Sequence, residues 1–75
     1  MASYNGAKEK NELMAVFESG LCAYFPTDAE TCKDAMSEML ARMNEIGVNT
    51  DNLNVTELAL RNGDYEDIDS WTQNA

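Results

Sequence analysis

The sequence predicts an all-α protein, a small helical bundle, and three observations lead to that class. Apolar residues recur every three or four positions over most of residues 8–46, which is the spacing of a helix face. Residues suited to helix ends separate the apolar runs. Only one stretch is compatible with a strand, and a single strand would have no partner. We expect one domain, 1–75, with a flexible segment at 1–7.

The second half of a long antiparallel helical hairpin is predicted at about 28–46. Thr27 followed by Glu30 reads as a capping box at its start, and Gly47 suits a left-handed cap at its end. Apolar side chains recur between these two points at spacings of three and four, which indicates one buried stripe. The stripe consists of Cys32, Met36, Met39, Leu40, Met43 and Ile46.

The first half of the hairpin is predicted at about 8–24, where apolar residues follow the same rhythm from Leu13 to Tyr24. Gly20 would mark a bend or a close helix contact. Pro26 then ends the segment in a tight connection, and short connections make antiparallel neighbours.

That pairing would place Cys22 and Cys32 at the same depth of the hairpin. A disulfide between them is one reading, and two packed thiols are the other. The second is favoured because disulfides are rare inside cells.

Two short helices, at about 55–62 and 65–72, are expected to close the bundle. Asn54 and Asp64 each precede an acidic residue by three positions, as N-terminal caps often do. The last helix would carry Tyr65, Ile68 and Trp71 (or Thr72) on one face. A strand between residues 48 and 60 is the alternative for part of this region.

The charge is strongly acidic: fourteen acids, five bases and no histidine give a net charge of −9. Such a surface repels nucleic acid and anionic membranes and is attracted to basic protein surfaces. No apolar run is long enough to span a membrane, and the N-terminus lacks a signal-peptide pattern. We therefore expect a cytoplasmic protein that binds neither nucleic acid nor membrane directly.

An enzyme, a metal site and a bound cofactor are not expected. Calcium loops beginning at Asn49 or Asn62 both fail at the glycine and glutamate positions that turn and close such a loop. The cysteines have no histidine base, and no phosphate-binding or nucleophile motif is present.

The methionines of the stripe, together with Met14, allow three interpretations. They can form the core of a small bundle, an adaptable groove for a partner helix, or the seam of a homodimer. The core reading is preferred. Self-association through this methionine-rich face, as a structural or assembly subunit, remains the second hypothesis for function.

The leading hypothesis is a non-enzymatic binding module that occupies a basic surface of a larger protein. Its predicted contact residues are exposed acids of the helices at about 28–46 and 65–72, with one aromatic side chain. They are Glu66, Asp67, Asp69, Tyr65, Asp34 and Glu38. Trp71 is expected to pack inward, and the exposure of Tyr65 is left open.

In size, charge and absence of motifs, the chain resembles the small acidic proteins that bacteriophages and mobile elements use against host enzymes, including inhibitors of CRISPR nucleases. The resemblance implies that the acidic surface imitates nucleic acid on a basic surface of a host protein. It also implies the cytoplasm of a bacterial host.

Overall fold

The protein is a four-stranded antiparallel sheet with one helix packed on it, as seen in a computed structural model that describes residues 9–73. The sheet order is β2-β1-β3-β4. The helix connects the two hairpins β1–β2 and β3–β4 and crosses one face of the sheet. The elements are β1 (Asn11–Phe17), β2 (Cys22–Thr27), α1 (Cys32–Glu45), β3 (Val55–Asn62) and β4 (Asp67–Thr72).

The prediction of an all-α bundle is therefore wrong, and the error begins at residues 8–24. This segment forms β1, a turn and the first part of β2 instead of one helix. Gly20 lies in the turn with a φ of 95°, a conformation that glycine adopts without strain. Its presence there marks a chain reversal and not a bend in a helix.

The segment that forms β1 was predicted as a helix because both faces of the strand are apolar. Leu13, Ala15 and Phe17 alternate with Met14 and Val16. The first three are buried beneath α1, whereas the other two are half-buried on the opposite face. The mixture of the two sets satisfies a helical spacing as well as a strand spacing, and the period alone could not separate them.

The helix α1 confirms the helix predicted at about 28–46, although it begins later than expected, at Cys32. Its N-cap is Thr31, whose hydroxyl accepts a hydrogen bond from the Asp34 N–H at 3.2 Å. Thr27, the predicted cap, is the last residue of β2 and is buried. Its hydroxyl accepts a hydrogen bond from the Ala29 N–H at 3.0 Å and so shapes the turn that leads to the helix.

The C-terminal end of α1 is formed as the sequence predicts. Gly47 has a φ of 91° and donates its N–H to the Asn44 carbonyl at 3.2 Å. Val48 donates to the Met43 carbonyl at 2.9 Å. These two bonds make a Schellman motif, which satisfies carbonyls that the helix leaves unpaired.

The two predicted C-terminal helices are also wrong, since 55–62 and 65–72 form a second hairpin from β3 and β4. The alternative prediction of a strand between residues 48 and 60 was correct only for residues 55–60, which belong to β3. Asn and Gly are common in hairpin turns, and here Gly63 opens the loop 63–66, in which Tyr65 is the residue with a positive φ. Reading Gly63 as the end of a helix overlooked that signal.

The core lies between α1 and one face of the sheet. Leu13, Leu60 and Ala35 are fully buried, and Met39 is 2% exposed. Further buried members are Ala15, Phe17, Cys32, Val55 and Leu58. Most of the predicted helix stripe therefore does pack inward, but Ile46 lies beyond the helix end and is 64% exposed.

Both cysteines are free thiols, with Cys22 exposed on β2 and Cys32 buried at the start of α1. They are therefore not at one depth of a hairpin. The predicted flexible segment, 1–7, lies outside the described residues. No helix among residues 9–73 is long and apolar enough to cross a membrane.

Candidate protein-binding surface

The β3–β4 turn is organised by a single side chain. The carboxamide oxygen Oδ1 of Asn62 accepts hydrogen bonds from the N–H groups of Asp64, at 2.9 Å, and Glu66, at 3.0 Å. Its Nδ2 donates to Glu66 Oε1 at 2.9 Å. Tyr65 takes up a left-handed φ of 63° between them. The turn therefore holds its backbone and the Glu66 carboxylate in defined positions and leaves Tyr65 55% exposed.

The loop from β2 to α1 lies at the same end of the sheet. Asn11 pairs with Thr27 on one side and with Asn62 on the other, which brings the ends of β2 and β3 to the same level. Lys10 donates its N–H to Asp28 at 2.9 Å and its ammonium to Glu30 at 2.7 Å. The hydrogen bond and the charge of Lys10 lower the pKa of the Glu30 carboxyl.

These loops create a cluster that we call the acidic end. It consists of Asp28, Glu30, Asp64, Glu66 and Asp67. Ion pairs among the described residues involve only two of the five: Glu30 with Lys10, and Asp67 with the Arg61 Nε at 3.1 Å. The acidic end thus keeps a strong net negative charge on loops that are tied down by hydrogen bonds.

Asp69 has a different environment from its neighbours in sequence. Its Oδ2 accepts a hydrogen bond from the Cys32 N–H at 2.7 Å, and its Oδ1 accepts one from the Ser70 N–H at 3.0 Å. The carboxylate thereby satisfies an N–H at the start of α1, where negative charge is favourable. Asp69 joins β4 to the helix, which the sequence did not predict.

The two predicted contact residues on the helix are not part of the acidic end. Asp34 is exposed in the first turn of α1. Glu38 accepts a hydrogen bond from the Thr27 hydroxyl at 2.6 Å and so ties α1 to β2. The structure brings Tyr65, Glu66 and Asp67 together in the β3–β4 turn, and it places Asp34 and Glu38 on α1.

The sheet face opposite α1, which we call the open face, carries no covering element among residues 9–73. Met14 lies at its centre, with Tyr24 and Ala59 as cross-strand neighbours. Tyr24 is 60% exposed, whereas Met14 is half-buried by its neighbours. Arg61 and Asp67 border these apolar residues at the acidic end. An apolar centre with a charged border is typical of a protein-binding surface.

A groove runs between α1 and β4, with a volume of about 560 Å³. Its walls are mainly apolar, and Trp71 is 44% exposed there. The lining residues are Cys32, Lys33, Met36, Leu58, Asp69, Ser70 and Trp71. The sequence did not predict this groove, because Trp71 was expected to pack on a helical hairpin.

Burial raises the pKa of the Cys32 thiol to about 11, and the charge of Asp69 and its hydrogen bond contribute in the same direction. A nucleophilic cysteine requires a lowered pKa, so Cys32 is poorly suited to catalysis. No group of three or more potential metal ligands occurs in the part of the chain that the structure describes.

The signals for this surface were present in the sequence but depended on the fold. Asn62-Gly63 lies at the turn but was taken as a helix end, and Lys10, Asp28 and Glu30 join the acidic end only because β1 lies between β2 and β3. No family model, curated protein or solved structure matches this chain.

Proposed function

We propose that this protein is a non-enzymatic binding module whose acidic end docks on a basic surface of a larger protein. One observation carries the proposal: most carboxylates of the acidic end have no cation within ion-pair distance in residues 9–73, and their loops are held by hydrogen bonds. Charges in fixed positions attract an oppositely charged partner without an ordering cost at contact.

The exposed aromatic side chain of Tyr65 supports the same surface. It lies between Asp64 and Glu66 in the turn, with 55% of its surface accessible. Tyrosine with a charged border is enriched where interfaces derive their binding energy. The carboxylates would then steer the encounter, and Tyr65 would supply apolar contact area.

The same proposal includes the class of partner, which we infer from the charge of the acidic end. A surface that holds nucleic-acid phosphates is basic, and carboxylates spread over a small rigid body can occupy it. The resemblance to acidic phage inhibitors directs the search to such host proteins, CRISPR nucleases among them. This proposal places the protein in the cytoplasm, that of a bacterial host if a phage encodes it.

Charge reversal at two ends of the molecule tests the proposal. The double variant Asp64→Lys/Glu66→Lys changes the acidic end, and Glu18→Lys/Asp51→Lys makes the same change in net charge on exposed positions outside it. Both are used as bait in a bacterial lysate, and retained proteins are identified by mass spectrometry. Association rates with the purified partner are then measured between 50 and about 500 mM salt, a range that screens exposed charges.

We expect the wild-type association rate to fall by at least about tenfold with salt. The Asp64→Lys/Glu66→Lys variant should lose a similar factor at low salt, and the control variant much less. An affinity that is unchanged across the salt range would contradict the proposal. Equal losses in both variants would show that net charge acts without any particular surface.

A second candidate function is self-association as a structural subunit, and the open face favours it. Met39 of α1 is buried against the sheet, so the methionine stripe is largely occupied by the core. Met14 and Tyr24, in contrast, lie on the uncovered face. Light scattering at two concentrations should then show a dimer that Met14→Lys dissociates and Ser37→Lys does not. A wild-type monomer at both concentrations would contradict this candidate.

A further inference from the structure

The two edges of the sheet differ in how well they can accept another strand. The hydrogen bond from the Phe17 N–H to the Leu21 carbonyl shows which alternate residues of β2 bond to β1. Backbone groups of Cys22, Tyr24 and Pro26 then face away from β1. Pro26 has no N–H, so it interrupts the row of donors on this edge, a common protection of edge strands.

The β4 edge has no proline. The Gln73 N–H donates to the Thr56 carbonyl at 2.9 Å, so Trp71 faces β3 with its backbone, while Ser70 and Thr72 face outward. The Asp69 side chain holds the Ser70 N–H. A register shift next to Asp67 breaks the ladder. Between residues 69 and 73 the outward backbone groups that remain for another strand are therefore the Thr72 N–H and the carbonyls of Ser70 and Thr72, whereas β2 offers the N–H groups of Cys22 and Tyr24.

The groove between α1 and β4 lies directly beside this stretch. Asp69 and Trp71 pair with core residues of β3, so their side chains are on the helix side of the sheet. Met36 and Cys32 form the opposite wall of the groove. A strand added to β4 would project every second side chain toward this groove. Binding of extended peptides to a sheet edge uses this combination of backbone pairing and side-chain pockets.

The charge around the edge selects the composition of such a strand. Asp67 is paired with Arg61, and the Asp69 carboxylate accepts the N–H groups of Cys32 and Ser70. Glu57, opposite Thr72 on the neighbouring strand, has no such partner among residues 9–73, and the chain as a whole carries a net charge of −9. Lys33 is the one cation among the residues that line the groove. An extended segment with lysines or arginines on both sides of one apolar residue complements these charges.

We propose that β4 binds an extended basic segment of a partner protein as a fifth strand, with one apolar side chain of that segment in the α1–β4 groove. This inference rests on the proposed function in one respect, the basic character of the partner. It adds a second contact, which determines the residence time of the complex, to the acidic end, which determines the rate of encounter.

Synthetic peptides test the strand without a known partner. The probe is a nine-residue peptide in which threonine and lysine alternate around a central leucine, and the control has serine at the centre. Trp71 is the only tryptophan of the chain, so its fluorescence reports on the groove. We expect a shift in Trp71 emission that saturates, with at least tenfold tighter binding of the leucine peptide.

Backbone methylation identifies the strand pairing. Two versions of the leucine peptide carry N-methyl groups on alternate residues, one set on the odd and one on the even positions. Only one set can face β4, so one version should lose binding and the other should keep it. Equal binding of both versions, or no response of Trp71 to any peptide, would overturn the proposal.

Variants of the groove complete the test. Met36→Lys places a charge and a longer side chain in the groove and should abolish the Trp71 response. Ser37→Lys, on the exposed side of the same helix, should leave the response intact, with circular dichroism showing that both variants fold. Wild-type self-association that Met36→Lys removes would assign the groove to a second copy and overturn the proposal.

Different experimental results would contradict the proposed function and the proposed strand binding. The Asp64→Lys/Glu66→Lys variant should slow association and still show the emission change when saturated with peptide. Met36→Lys should keep the salt-dependent encounter with a basic partner but shorten the lifetime of the complex. A partner that binds Met36→Lys with wild-type association and dissociation rates would contradict the groove and leave the acidic end supported.

Discussion

The hairpins β1–β2 and β3–β4 flank the same helix and differ mainly in their outer strands. Their inner strands, β1 and β3, pair with each other at the centre of the sheet. The first hairpin, residues 11–27, carries two acids and ends in an edge that contains Pro26. The second, residues 55–72, carries five acids and one base and ends in an edge without proline.

This difference shows how a very small domain divides its tasks between parts of similar geometry. The inner strands are buried by α1 and by each other, which restricts their composition to residues that pack. The outer strands contact the core less, and their composition can vary. Most of the acids of the two hairpins, and the edge that lies beside the α1–β4 groove, belong to the second hairpin, so we expect it to carry most of the binding.

The largest expected effect is on the free energy of unfolding, and it comes from the core that the two hairpins share. Leu13 on β1 and Leu60 on β3 are opposite each other and fully buried. Leu13→Ala and Leu60→Ala should each lower the free energy of unfolding by about 2–5 kcal/mol, through lost burial and a residual cavity. Urea denaturation measures both. A loss below about 1 kcal/mol at one position would show that the hairpins do not contribute equally to the core.

The next effect is confined to the second hairpin. Asp69→Asn removes the negative charge that accepts the Cys32 N–H at the start of α1, and should cost about 1 kcal/mol. Asp67→Asn is the matched control on the same strand. If both variants were equally stable, β4 would not anchor the helix through Asp69.

Asp69 also affects the titration of Cys32. The folded-state pKa of this thiol, about 11, lies above its ordinary value of 9.0, mainly through burial and then through Asp69. The neutral thiol therefore stabilises the fold fully below pH 9, and this contribution is lost as the pH rises through 11. In a Cys22→Ser background, alkylation rates against pH should show a lower Cys32 pKa in Asp69→Asn than in wild type.

In the turns of the two hairpins, one substitution should lower stability by a similar amount and another should raise it slightly. Gly20→Ala forces an alanine to a φ of 95° and should destabilise the protein by about 1 kcal/mol. Tyr65→Gly relieves a left-handed residue at 63° and should change stability by less than about 1 kcal/mol, toward greater stability. Thermal unfolding compares them. A destabilising Tyr65→Gly would mean that the tyrosine side chain makes stabilising contacts in the turn.

The smallest effect is expected at the border of the open face. Arg61→Gln breaks a half-exposed ion pair with Asp67 and should cost less than about 0.5 kcal/mol. It also makes the acidic end more negative, so association with a basic partner should become faster. Unchanged association at low salt would indicate that Arg61 and Asp67 lie outside the docking surface.

The sequence predicted the helix best, because its signals are local. The apolar stripe of α1 and the glycine after its end depend on neighbours within two turns. The strands were missed because their signals are not local: β1 is apolar on both faces, and Val55 to Asn62 needs β1 beside it to be recognised as a strand. Strand pairing joins residues up to about fifty positions apart, as Asn11 and Asn62 show.

The candidate site likewise has a part that the sequence predicted and a part that only the fold determined. Tyr65, Glu66 and Asp67 are close together in the sequence, and they remain together in the turn. Asp69 was placed among them by proximity along the chain, but the structure directs it to the start of α1.

Composition, net charge, the helix and the acidic turn were thus determined by the sequence itself, since each depends on residue type or on short-range order. The acidic end as a whole, the open face and the α1–β4 groove were decided by the tertiary structure. They exist because the order β2-β1-β3-β4 brings Thr27 and Asn62 to one level and lays the helix across the sheet. Pairing between distant strands is set by packing against a shared core, and no short stretch of sequence contains that information.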